Sequence, residues 1–135
     1  MKGSDVNAMI DMKENGKSYG EIAEAFNISV HSAKYHLYGM HRYSDFQSQF
    51  DIILANRLAR AEISTKEELY DLVSKHGYIR HMGPKLVEKL NEVLDRKITV
   101  MPERFIDINS IYTRGYEERH VYRLGFKDEE DQNDD

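Results

Sequence analysis

The stretch from Ser18 to Leu37, SYGEIAEAFNISVHSAKYHL through Leu37, constrains this chain more than any other part of it. Ser18 and Glu21 stand at the spacing where a hydroxyl and a carboxylate each cap the other's backbone amide at a helix start. Ile22, Ala23 and Phe26 then fall at helical spacing. Asn27 is a stop, because asparagine enters the left-handed region more readily than most residues. Ser29 caps a new helix at once, running from Val30 to about Tyr38, and Gly39 ends it. Ile28 seals the turn, while Ala33 and Leu37 face inward. Ala23 is small enough for the second helix to cross the first closely. The segment therefore reads as a short helix, a tight turn and a second short helix.

The rest of the chain extends this pattern. Ser4 caps a helix from Asp5 to about Asn15, with Val6, Met9, Ile10 and the stem of Lys13 at helical spacing inward and Gly16 closing it. Residues 1–44 thus form one helical domain. A second covers 50–96. It begins with a helix from Asp51 to Ala61 carrying Leu54 and Leu58. A capping box of Ser64 with Glu67 opens the next, with Leu69, Leu72 and Val73 inward, and His76-Gly77 ends it. Gly83-Pro84 opens the last helix, where Pro suits the first turn, and Leu86, Leu90, Val93 and Leu94 make its apolar stripe. In the extension 97–126, Thr113-Arg114-Gly115 suits a hairpin turn, and a helix over 105–112 is the alternative. The predicted fold class is all-α: an N-terminal helical bundle, a small second helical domain and a short β-hairpin-like extension.

Charge is segregated. The net charge of −5 arises from the last nine residues, KDEEDQNDD, since residues 1–126 hold 18 basic and 18 acidic side chains. Composition reads 127–135 as a disordered acidic tail, kept for solubility or for competing with phosphates over a basic face. The chain contains no cysteine, which excludes disulfides, thiolate nucleophiles and Cys-ligated zinc. The expected setting is cytoplasmic and away from membranes: no run nears the ~18 apolar residues of a span, and the N-terminus lacks the apolar core of a signal peptide.

Residues 28–44 contain no Asp or Glu, where the chain's average would place about three. With Ala33 and Leu37 inward, Val30, His31, Lys34, Tyr35 and Tyr38 point outward, and Arg42 follows. A helix that approaches phosphate needs such an acid-free face. Ser29 and Ser32 add hydrogen-bonding groups at the helix start, where free amides also favour anions. His31, His36 and His41 recur every five residues, about 140° apart around a helix, so they do not make a metal face. No phosphate loop and no nucleophile elbow occurs. No catalytic residue, metal or cofactor is expected.

On these residues, the stretch 18–37 resembles the helix-turn-helix of sigma-factor region 4, of resolvases and of homeodomain-like bacterial regulators. The resemblance implies binding to double-stranded DNA through Ser29, Val30, His31, Ser32, Lys34, Tyr35, Tyr38 and Arg42, in transcriptional control in a bacterium or bacteriophage. Two such small units bind weakly alone, so either both touch DNA or the protein dimerises on a palindrome, with a homodimer as one expected partner.

Residues 51–94 resemble the C-terminal domain of the RNA polymerase alpha subunit and related helix-hairpin-helix folds. The match is carried by Ala55-Asn56-Arg57-Leu58, Ile63-Ser64-Thr65, Glu68-Leu69 and Gly83-Pro84-Lys85. It implies that Asn56, Gly83 and Lys85 hold DNA phosphates, with Arg57, Arg80 and His81 extending that edge. The family places an arginine three residues before its asparagine, and here that residue is Ile53. The alternative is a protein-interaction module whose second domain binds RNA polymerase or another regulator.

Overall fold

A computed structural model describes residues 1–39, 41–101 and 123–132. Among these the chain is mostly helical, with eight helices and one two-stranded antiparallel sheet. It divides into two compact units, Met1–Ala55 and Asn56–Asp135.

Unit 1 is built on α1 (Gly3–Glu14), α2 (Tyr19–Phe26), α3 (Val30–Leu37) and α4 (Asp45–Ser48). The local chemistry acts as the spacing predicts. The Glu21 amide donates to Ser18 Oγ at 3.1 Å, and the Ser18 amide donates to Glu21 Oε1 at 3.2 Å. Asn27 takes φ 54°, ψ 49°, which ends α2 in the left-handed region. Ser29 Oγ accepts from the Ser32 amide at 3.0 Å and starts α3. Gly16 closes the first loop at φ 87°. Val6, Met9, Ile10, Ile22, Ala23, Ala33 and Leu37 form one buried cluster, with Phe26, Ile28 and Tyr43 packed on it.

Two features of unit 1 depart from expectation. Helix α1 starts at Gly3, so Ser4 lies inside it, and the Asp5 carboxylate accepts from the Lys2 amide at 2.9 Å. The segment after Ser44 is also structured. Ser44 and Gln47 form a capping box, Phe46 and Gln47 are buried, and α4 packs on α1. Gly3 permits that approach: a Cβ there would sit 3.0 Å from Ser48 Cα. The Asn7 side chain pairs with both backbone groups of Tyr43, donating at 3.0 Å and accepting at 2.9 Å. An amide side chain here takes the place of a missing strand neighbour. The first unit therefore runs past residue 44 to Ala55.

Helix α5 (Ile52–Arg60) carries the chain from one unit to the next. Unit 2 continues with α6 (Lys66–Ser74), α7 (Pro84–Asn91), β1 (Ile98–Val100), β2 (Leu124–Phe126) and α8 (Lys127–Gln132). The strands pair antiparallel, Ile98 opposite Phe126 and Val100 opposite Leu124. The core of this unit includes Leu58, Ile63, Leu69, Val73, Ile79, Met82, Leu90, Ile98 and Leu124. Asn91 repeats the device of Asn7, bonding both the amide and the carbonyl of Ile98 at 2.9 Å and so tying β1 to α7.

Several sequence expectations shift in unit 2. Thr65, not Ser64, caps α6, accepting from the Glu68 amide at 3.1 Å. The buried stripe of α7 runs through Val87 and Leu90, and Leu94 is buried just beyond its end, while Leu86 is half-buried and Val93 is exposed. Residues 127–132, read from composition as disordered, form α8. The reason is long-range: Asp128 accepts two hydrogen bonds from Arg96, at 2.8 and 3.0 Å, and Arg96 lies 3.5 Å over the Phe126 ring. A strand pair does form in the extension, from its two ends. The turn expected at Thr113-Arg114-Gly115 and the alternative helix over 105–112 lie outside the described residues.

Candidate nucleic-acid interface

The outer face of α3 follows from the phase of the helix. Ala33 and Leu37 occupy the α1–α2 side, which leaves Val30, His31, Lys34, Tyr35 and Tyr38 pointing outward. Tyr35 is 74% and Tyr38 89% exposed. Both rings thus stand in solvent on the same side of unit 1 as the outward residues of α3. His36 is half-buried at the edge of this face, its ring edge-on to Tyr35 with centroids 5.7 Å apart. Ser29 and Ser32 meet at the helix start, Oγ to Oγ at 3.1 Å.

The cationic part of the face has a contributor that sequence reading missed. Lys13 on α1 and Lys34 on α3 flank the Tyr19 ring, at 4.2 and 5.6 Å from its centroid. Each ammonium gains from the electron-rich ring face. The three residues are far apart in sequence, so no local motif announces them. Arg42 is positioned differently from the expectation. Its guanidinium binds Asp11 at 2.6 Å and Glu14 at 2.8 Å, and these carboxylates raise its pKa above the ordinary arginine range. Arg42 thus tethers the segment after α3 to α1 instead of offering a free charge to phosphate.

The residues expected to form a second edge divide into two sets. Arg57, Arg80 and His81 line one cavity of about 680 Å³, together with Arg60, Leu72, Tyr78 and Ile79. Asn56, Gly83 and Lys85 are not among its lining. Gly83 is the residue before α7 and has φ −88°, a conformation open to any residue, so it is not required there for its freedom. The left-handed position in this connector belongs to His81, at φ 61°. Arg60 and Tyr78 were not singled out by sequence: Arg60 is twenty residues from Arg80, and Tyr78, two residues before it, belongs to no motif. Ile53 is 56% exposed.

Among the described residues no group of three His, Cys, Asp or Glu side chains could hold a metal ion. No helix among them is long and apolar enough to cross a membrane. No family model, no curated protein and no solved structure matches the chain.

Proposed function

We propose that this protein binds double-stranded DNA with α3 as its reading helix and acts in transcriptional control. One observation carries the reading. The helix that follows the tight turn at Asn27 keeps Ala33 and Leu37 inward. It presents Tyr35, Tyr38, Lys34 and His31 outward on a stretch without acids. A helix seated in the major groove needs phosphate contacts at its start and side chains of varied hydrogen-bonding type toward the bases. Ser29 and Ser32 suit the first role, and Tyr35 and His31 suit the second. Lys13 and Lys34, gathered on Tyr19, suit the flanking backbone. The resemblance of residues 18–37 to bacterial helix-turn-helix segments agrees with this arrangement. That of residues 51–94 to the alpha-subunit domain adds a second unit of the kind that meets DNA or polymerase.

The test is duplex binding followed by fluorescence anisotropy at several salt concentrations. Lys34→Glu weakens binding to every sequence and lowers the salt slope by about 0.9, the value of one phosphate contact. Tyr35→Ala changes the ranking of sequences recovered from a random pool. Binding by both variants indistinguishable from the parent protein would refute α3 as the reader. It would leave the exposed tyrosines as a protein-docking face.

A further inference from the structure

We propose that unit 2 holds a pocket for a phosphate-bearing small molecule of about nucleotide size, gripped by Arg57, Arg60 and Arg80. The inference rests on different residues, in a different unit, from the reading of α3.

The cavity of about 680 Å³ lies within the size range of small-ligand sites. Among the described residues its lining carries three arginines and no carboxylate, with His81 beside them. The other arginines of the described chain are engaged. Arg42 binds Asp11 and Glu14, Arg96 binds Asp128 and Glu129, and Arg123 donates to the His76 carbonyl at 3.2 Å. Arg57, Arg60 and Arg80 have no carboxylate partner among the described residues. Arg57 Nε is buried with no hydrogen-bond partner. A buried guanidinium N–H left unmet is costly, and three like charges facing one space repel. Both costs are offset by an anion in that space.

The chemistry of the anion follows from the donors. Guanidinium forks match phosphate oxygens in pairs, and a group with two or more negative charges balances three of them better than a single carboxylate does. The rest of the wall is apolar or aromatic: Leu72, Ile79 and the half-exposed ring of Tyr78. That wall suits the flat body of a ligand rather than bare phosphate. His81, whose backbone is left-handed at φ 61°, also lines this cavity. A concave wall of arginines favours a small molecule over the convex backbone of a duplex.

The experiment is titration calorimetry on the full chain with adenosine diphosphate, inorganic pyrophosphate, adenosine and citrate. The expected order is the nucleotide tightest, pyrophosphate weaker, citrate weaker still, and adenosine without measurable heat at about 1 mM. Arg60→Gln and Arg80→Gln lie on exposed residues and keep the fold, and each weakens the nucleotide about tenfold or more. Arg57→Gln does the same if it folds, and the other two variants decide if it does not. Three results would overturn the proposal: no heat with either phosphate probe, citrate binding as well as pyrophosphate, or nucleotide binding unchanged in the exposed variants. Loss of duplex affinity in Arg60→Gln and Arg80→Gln, with no heat from the phosphate probes, would assign these arginines to the DNA backbone instead.

Discussion

Ser29 separates the folding role of the α3 start from its proposed contact with DNA. Its hydroxyl accepts the Ser32 amide at 3.0 Å, and Ser29→Ala removes that cap. Loss of a serine cap costs about 1 kcal/mol, which speeds amide exchange at Ala33 and Leu37 about fivefold. Ser29→Asp is the informative change. A carboxylate caps as well as a hydroxyl, and its charge gains ~0.3–1 kcal/mol at the positive end of a helix. Exchange at Ala33 and Leu37 therefore slows or stays as it was. The same charge opposes DNA. A carboxylate roughly 7 Å from one phosphate, at an effective dielectric between about 20 and 80, is repelled by about 0.6–2.4 kcal/mol. That is a loss of about 3- to 50-fold in duplex affinity. The assay pairs exchange by nuclear magnetic resonance with anisotropy on a labelled duplex. Ser29→Asp that is well folded and binds DNA like the parent protein would show that phosphate does not approach the start of α3.

Two other changes probe the fold. Asn27 holds φ 54°, so Asn27→Gly is neutral or stabilising by up to about 1 kcal/mol and Asn27→Val destabilises unit 1 by about 1–2 kcal/mol in urea titrations; equal midpoints would contradict the left-handed turn. Truncation after Lys127 removes the Asp128 carboxylate that binds Arg96, and should raise amide exchange at Leu124 and Phe126; unchanged protection would mean that α8 does not hold β2. The same contact sets a pH dependence. Hydrogen bonds from Arg96 hold the Asp128 carboxyl below the usual aspartate range, and those from Lys66 do the same for Asp95. A carboxyl whose pKa is lowered by folding stabilises the folded state above its unfolded value of about 3.9, and this is lost as pH falls through the lower folded value. Acid titration of the truncated protein should therefore show a shallower loss below about pH 4 than the full chain.

What could be read from the sequence was short-range chemistry. Ser18 with Glu21, Asn27 and Ser29 lie within three residues of the groups they serve, so their spacing alone specifies α2, the turn and α3. Where two candidates are adjacent, spacing cannot choose. Ser64 and Thr65 are both competent caps, and it is Thr65 that takes the extended cap backbone and accepts the Glu68 amide at the start of α6. The phase of α7 is ambiguous for the same reason: in eight residues Leu86 and Val87 are both plausible core positions, and packing selects Val87. Long-range pairings were not legible. Asp128 is 32 residues from Arg96, and a run of acids gives no hint that one arginine will order its start. The cavity of Arg57, Arg60 and Arg80 likewise exists only once the connector at 78–81 has folded back toward α5.

The charge available to α3 limits the DNA binding proposed for it. Unit 1 contains seven acids against five lysines and arginines, so attraction to phosphate depends on where the charges lie. Arg42 is held by Asp11 and Glu14, and Lys17 faces Glu21 at 3.8 Å. Lys13 and Lys34, both on the Tyr19 ring, are the cations best placed for backbone contact. Two phosphate contacts correspond to a salt slope of about −1.8, and two copies on a symmetric site to about −3.6. On the proposed reading a single copy with so shallow a slope binds weakly, so specific binding at physiological salt calls for a pair of protomers or for added contacts from unit 2. Arg42→Ala leaves either slope unchanged, because that guanidinium is already neutralised within α1. A slope beyond about −4 that falls in Arg60→Gln would bring unit 2 into the DNA contact. A drop of about 0.9 in Arg42→Ala would show that its ion pairs open on the duplex, and that Arg42 itself reaches phosphate.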